Sequence, residues 1–243
     1  MFDPGQLQPA YVLHSRPFQD TSLIVDAWTM YCGRQTLMVK GARKAQGRQP
    51  AKKALLQPFQ PLQLSYGGRG EMGYLKQLEA AGPSLMLQGT SLYSGMYLNE
   101  LLLRLLPVAD PHPELFAFYQ SGLQSLKQGA SVEQVLREFE SHLLAELGYH
   151  VDLSRDLHSG EAVVAGVWYR FIPLEGVEEV YLGAGQNTGG YLSGQQLLAL
   201  QAGSSDDAIR QLGKRIARAN LEQLLGDKPL KSRELFKQMQ AFK

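Results

Sequence analysis

The chain has 243 residues, 44% of them hydrophobic, and its 24 Lys and Arg against 23 Asp and Glu leave a net charge of +1. A chain of this size can bury a core, as two or three small domains, while the single cysteine, Cys32, excludes an internal disulfide and a cysteine-built zinc site. No segment approaches the roughly 18 uninterrupted apolar residues of a membrane-spanning helix. The opening MFDPGQLQPA, with its early proline and no apolar run, does not read as a signal peptide, so a soluble protein of a reducing cytoplasm is expected.

Residues 10–80 read as strands. Tyr11–Arg16, Leu23–Met30, Arg34–Lys40, Phe59–Tyr66 and Gly73–Glu79 are short, alternating or rich in β-branched and aromatic residues. They are separated by Pro17, Cys32-Gly33, the stretch from Gly41 to Pro50, and Gly67-Gly68-Arg69-Gly70, which reads as a hairpin turn. Only Ala51–Leu56 suggests a helical period. Five short strands in so little chain predict a small barrel, of which the five-stranded OB barrel is the natural candidate; periodicity does not separate it from an SH3-like one.

Helical periods follow Gly82-Pro83. Ser91–Leu106 is apolar on nearly all faces and stops at Pro107, so it predicts a buried central helix. Glu114–Lys127 is a second. A third starts from the capping-box pattern of Ser131 and Gln134, carries Val135, Leu136, Phe139 and Leu143 on one stripe, and ends at Gly148. Val163–Pro173 and Val177–Leu182 look strand-like, and Ser193–Gln201 suggests a short helix. Ser205–Leu225 reads as a long helix with Ser205 as cap and Arg210, Lys214, Arg215 and Arg218 opposite Ile209, Leu212 and Ile216. A last short helix is expected in the tail. Together these elements predict an α+β protein.

The charge is unevenly spread. Residues 1–79 carry a local +5, residues 80–205 carry −8 and residues 206–243 carry +4. From Ala27 to Gly70 there is no Asp or Glu, where the overall composition would place about four, and the same stretch holds Arg34, Lys40, Arg43, Lys44, Arg48, Lys52, Lys53 and Arg69. A field of one sign between strands attracts a polyanion. Trp28, Tyr31, Phe59, Tyr66 and Tyr74 are the aromatics available to stack on bases, though strand alternation buries about half of them. Catalytic patterns are missing: the five histidines are scattered, no serine sits in a nucleophile-elbow motif, and the glycine-rich turn lacks the Lys-Ser/Thr of a phosphate loop. No enzyme activity is expected.

The segments AYVLHSRPFQDTSLIVDAWT, GRQTLMVKGARK, LLQPFQPLQLSYGGRGE, LYSGMYLNELLLRLL, FESHLLAELGYHVD and KPLKSRELF, in this order over nearly the whole chain, resemble the bacterial recombination mediator family RecO. The resemblance implies an OB-fold DNA-binding domain at 1–80, a helical domain at 81–149 and 193–243, and a small β or irregular insert at 150–192. It implies binding of single- and double-stranded DNA, annealing of complementary strands, and capture of the C-terminal tail of the single-stranded-DNA-binding protein. It further implies action with RecR in loading RecA, near the nucleoid and without a nucleotide cofactor. DNA contact then falls on Lys40, Arg43 and Lys44, with Arg34, Arg48, Lys52 and Lys53 beyond them, while Arg69 reads as a turn residue. Arg137 with Arg210, Lys214, Arg215 and Arg218 would take the acidic tail. Many members of this family hold zinc with four cysteines in the insert; this chain has none there. It resembles a metal-free branch, so no zinc is expected and packing must hold the insert. The competing expectation is an OB-fold scaffold or RNA-binding protein that does not anneal.

Overall fold

Period-two alternation places one set of residues inside a barrel. In the structure, a computed structural model that describes residues 2–44, 52–68, 70, 72–149, 151–183 and 187–241, these strands are β1 (Gln8–Phe18), β2 (Ser22–Thr29), β3 (Gly33–Val39), β4 (Leu62–Gly67) and β5 (Gly73–Ala80). They close in the order β1-β2-β3-β5-β4, with β1 pairing β4 and a parallel contact between β3 and β5. This is an OB-like barrel. Its interior takes Ala10 and Val12 from β1, Leu23, Val25 and Ala27 from β2, Leu37 and Val39 from β3, and Leu62 and Leu64 from β4. Ala42 and Leu56, from the connection between β3 and β4, complete it. The fourth strand starts later than its sequence suggests, because Phe59 adopts a left-handed φ of 64° and cannot continue an extended run.

Every residue of β2 is buried, so its outer face is covered as well. At its Trp28 end the cover comes from helices, of which α1 (Gly89–Leu105), α2 (Pro113–Lys127) and α3 (Val132–Glu146) follow the barrel in the chain. Trp28 lies 5.1 Å from Phe116 and 5.6 Å from Tyr119, and Tyr11 lies 5.1 Å from Tyr119. Each such pair adds about 0.5–1.5 kcal/mol beyond area burial. One polar link crosses this cluster. A bulge in β1 between Val12 and His14 breaks the ladder, and Asn99 of α1 donates Nδ2 to the carbonyls of Val12 (3.4 Å) and Leu13 (3.2 Å). The Tyr119 hydroxyl donates to Asn99 Oδ1 at 2.6 Å. The Tyr11 hydroxyl and the Trp28 indole N–H, by contrast, are buried with no hydrogen-bond partner among the described residues, and burial pushes the Tyr11 phenol up to about 12.

The chain forms two compact units, residues 1–139 with 229–243, and residues 140–228. The tail rejoins the first unit because Glu100 of α1 caps α6 (Lys231–Ala241). Its carboxylate accepts from the backbone of Lys231 and Ser232, both at 2.9 Å, and from the Ser232 hydroxyl at 2.6 Å. A carboxylate at a helix N-terminus also meets the positive end of the dipole. The Arg233 guanidinium then lies 5.3 Å from the Tyr97 ring centroid.

In the second unit β6 (Trp168–Ile172), β7 (Gly176–Val180) and β8 (Leu192–Ser193) form a sheet in the order β7-β6-β8. With α4 (Gly194–Gln201) and α5 (Asp207–Leu225) it encloses a core of Tyr169, Val177, Leu197, Leu212 and Ile216. Strand β6 is shorter than the predicted Val163–Pro173: Val167 closes a turn onto Val164 at 3.1 Å, and the Tyr169 hydroxyl takes the Val164 N–H at 2.9 Å. The cap of α5 is Asp206 rather than Ser205; its side chain accepts from Ala208 at 2.8 Å and Ile209 at 3.2 Å.

Packing is not alone in holding the insert. Asp156 is buried and accepts the N–H groups of Ser159 (2.7 Å), His158 (3.0 Å) and Glu179 (2.6 Å) and the Ser159 hydroxyl (2.9 Å). One carboxylate thereby fixes its own turn to β7. The Ser159 amide foremost, with those of Glu179 and His158, outweighs burial and holds the Asp156 carboxyl down to about 2, against 3.8 for an ordinary aspartate.

Two predictions follow from these polar centres. Tyr119→Phe strands the Asn99 carbonyl oxygen and destabilises by about 1–3 kcal/mol in urea unfolding, whereas Tyr11→Phe, which removes an unbonded buried hydroxyl, costs nothing or stabilises. The depressed folded value of Asp156 means its stabilisation is complete above the unfolded value of 3.8 and is lost as pH falls toward about 2. Amide protection in β6 and β7 should therefore decline through that window, and Asp156→Asn should start lower and decline less; identical profiles would remove Asp156 from this role.

Candidate nucleic-acid interface

The cations of the carboxylate-free stretch are sorted by where β3 begins and ends. Strand β3 stops at Val39, and the chain turns at Lys40. Ala42 is buried in the barrel, so the residues on either side face outward. Backbone bonds pin this turn: Lys44 N donates to Gly41 O at 3.1 Å, Arg43 N to Thr21 O in the β1–β2 turn at 3.0 Å, and Lys53 N to Ala42 O at 2.9 Å. The last bond brings the 3-10 turn Lys52–Ala54 alongside. Lys40, Arg43, Lys44, Lys52 and Lys53 are therefore gathered on one rim of the barrel. All five are exposed, and none forms an ion pair with a described residue. Arg48, and Arg69 in the β4–β5 turn, lie outside the described residues.

Arg34 sits at the opposite end of β3. Its Nε donates to the Leu106 carbonyl at 3.1 Å, at the C-terminus of α1, and its own carbonyl accepts from Ala109 at 2.9 Å. The neighbouring Gly33 has φ 68°, and a Cβ there would stand 2.2 Å from the Asp110 carbonyl oxygen. The chain after α1 thus presses directly on the start of β3, and Arg34 is occupied in holding it.

The outer face of the sheet leads away from the rim. Cross-strand register aligns Arg16, Ile24, Met38, Tyr74 and Gly67 in one row over all five strands. Lys76 follows Tyr74 at the same parity and is exposed. Arg16, Lys76 and this row were not legible as a site, because β3 and β5 meet only through the barrel closure; the signal present was the Tyr74–Lys76 spacing of two. Of the acids on this face, Glu79 of β5 is exposed, and Asp26 is engaged by the Thr36 hydroxyl at 2.8 Å and lies 3.7 Å from His14 and 4.0 Å from Arg16. Of the candidate stacking aromatics, Trp28, Phe59 and Tyr66 are buried and cannot meet a ligand. Tyr31 and Tyr74 are exposed at 44% and 49%, and Tyr31 has Phe2 at 4.9 Å.

The second group of expected site residues is divided. Arg137 is half-buried on α3 in the first unit, and Arg210, Lys214, Arg215 and Arg218 lie on α5 in the second. Arg210 pairs with Asp207 and Arg218 with Glu222 along the helix. Among the described residues no group of three or more His, Cys, Asp or Glu could hold a metal ion, and no helix is long and apolar enough to cross a membrane.

The chain is similar to known proteins over most of its length. The family described as Recombination protein O N terminal matches residues 6–83, and Recombination protein O C terminal matches residues 86–234. A DNA repair protein RecO of Pseudoalteromonas atlantica is 43% identical over 228 residues, 94% of this chain and 92% of its own length. One from Haemophilus influenzae is 43% identical over 96% of this chain and 97% of its own. One from Pseudomonas aeruginosa is 42% identical over 94% of each.

The two ends of β3 predict opposite behaviour on substitution. Arg34→Ala removes a charged hydrogen bond to a helix end and lowers stability by about 1.5–3 kcal/mol. Lys40→Ala, exposed and unpaired, changes stability by less than about 0.5 kcal/mol. Equal thermal midpoints for the two variants would contradict this division.

Proposed function

The chain belongs to the RecO family, and from that premise we propose that it is a DNA repair protein that binds and anneals single-stranded DNA through the barrel rim. The observation that carries this reading is the rim itself: Lys40, Arg43, Lys44, Lys52 and Lys53 gathered by backbone bonds on one edge of an OB-like barrel, with no ion pair to a described residue. Cations without a carboxylate partner are available for phosphates, and each contact releases a condensed counterion. Arg48, outside the described residues, is proposed as a further contact on the sequence alone, while Arg34 contributes by fixing β3.

Annealing requires two polyanions to approach. Neutralising phosphates on both strands lowers their repulsion, and contacts that are electrostatic and sequence-independent let the grip pass from strand to strand and to the duplex product. No bond is made or broken in this scheme, so the protein works without catalytic turnover or a cofactor. The relatives bear the name DNA repair protein, which supports a place in recombinational repair at the nucleoid of the cytoplasm. There the protein would engage the C-terminal tail of the single-stranded-DNA-binding protein and act with RecR to promote RecA loading. Arg137 and the α5 cations Arg210, Lys214, Arg215 and Arg218 are the residues proposed for the acidic tail; Arg215, exposed and away from the two intrahelical pairs, is the first to substitute.

The combined Lys40→Ala/Arg43→Ala/Lys44→Ala variant tests the rim. Its affinity should fall for every DNA sequence, and the log–log dependence on salt from about 50 to about 200 mM should flatten by up to about two units on single strands. An unchanged slope in fluorescence anisotropy, with an unchanged melting temperature, would sink the rim assignment. Tighter binding of structured RNA than of single-stranded DNA, with no annealing above background, would favour the scaffold or RNA-binding alternative.

A further inference from the structure

The rim explains affinity for phosphates and leaves the exposed ring of Tyr74 unused. Its position is set by a glycine. Tyr74 of β5 stands opposite Gly67 of β4, and a Cβ at Gly67 would lie 2.9 Å from the Tyr74 hydroxyl oxygen, 3.0 Å from its Cζ and 2.6 Å from Lys76 Cε. A Cβ at Gly68 would stand 3.5 Å from Tyr74 Cδ1. The ring thus lies down on the bare backbone of Gly67 and Gly68, with the Lys76 stem beside it, and remains 49% exposed. The ring is held by its own sheet on the Gly67 side, and about half of the residue meets solvent. On its other side Tyr74 adjoins Met38 of β3, two residues before the rim residue Lys40.

We propose that Tyr74, its ring lying against Gly67, is a base-stacking platform for single-stranded DNA whose phosphates run from the rim at Lys40 toward Lys76. The inference rests on the rim reading and deepens it, since it assigns the contact that distinguishes bases from phosphates. Charge complementarity selects the occupant: an exposed ring flanked by Lys40 and Lys76 suits a strand that carries anion and π-face together. A duplex keeps its bases stacked on one another and offers the ring nothing comparable. A ring over a glycine also shields the strand pair. That purely structural role would register in the melting temperature and would be blind to bases.

The test compares oligothymidine, an abasic oligonucleotide of the same length and a duplex, by anisotropy. Tyr74→Ala should weaken oligothymidine binding by roughly five- to 150-fold, the equivalent of one stacked base, and leave the abasic strand, the duplex and the salt slope unchanged. Tyr74→Phe should behave as the wild type. Gly67→Ala, whose new Cβ would push the ring off the strand, should reproduce Tyr74→Ala. Equal losses on oligothymidine and the abasic strand, or no loss on either, overturn the platform. The Lys40→Ala/Arg43→Ala/Lys44→Ala variant separates the two readings. If it leaves oligothymidine affinity and slope intact, the rim itself has failed; if it weakens binding while Tyr74→Ala does not, the platform alone has failed.

Discussion

Asn99 is the residue through which the barrel and its helical cover become one unit. The β1 bulge shifts the ladder between Val12 and His14, and there Asn99 donates to the carbonyls of Val12 and Leu13 from α1 while receiving the Tyr119 hydroxyl from α2. Three elements therefore meet in one buried amide. Burying such a group unmatched would cost about 1–3 kcal/mol, so the helices can seat on the barrel in one register. The aromatic cluster of Tyr11, Trp28, Phe116 and Tyr119 supplies bulk attraction, but two of its polar atoms find no partner among the described residues. It is insensitive to small rotations in a way the amide is not.

That seating decides which part of the sheet remains open. The row Tyr11–Trp28–Arg34 lies under the helices, and the row Arg16–Ile24–Met38–Tyr74 lies at the far end of the same strands. Arg34 and Lys40 share one face of one strand by parity, yet six residues of extended chain, about 20 Å, separate a guanidinium holding a helix end from an ammonium facing solvent. In one dimension the basic stretch looked continuous. In three it contains an end that holds a helix and an end whose cations face solvent.

The features that proved legible were local. Alternation located the five barrel strands, and apolar periodicity located the helices to within a few residues, because burial of a face imposes its period on the chain. The missing carboxylates marked the rim, since charge composition survives folding unchanged. The parts that were not legible depend on partners remote in sequence. The β3–β5 contact places Met38 beside Tyr74 across more than thirty residues of chain, and no pattern in either strand announces it. Trp28 is among the aromatics that alternation turns inward: its parity faces it toward α2. Asn99 and Glu100, polar residues within the apolar run of α1, were visible signs that the helix had specific partners. In the second unit, an aspartate that collects three backbone N–H groups has no signature beyond an ordinary turn, although it connects that turn to β7.

Ion pairing, more than charge count, separates the rim from the other basic surface. Helix α5 carries as many cations as a binding face requires, but Arg210 and Arg218 each have a carboxylate within one turn of the same helix. A phosphate approaching them must displace a partner already held, and the gain is the difference between two salt bridges in water, which are individually worth little. The rim cations have no such competitor among the described residues, and the connection that carries them contains no acid to provide one. Their mutual repulsion is the kind that a polyanion would relieve. A gap in the distribution of carboxylates is therefore more informative than an excess of lysine and arginine: it marks the surface where positive charge is left for a ligand to neutralise.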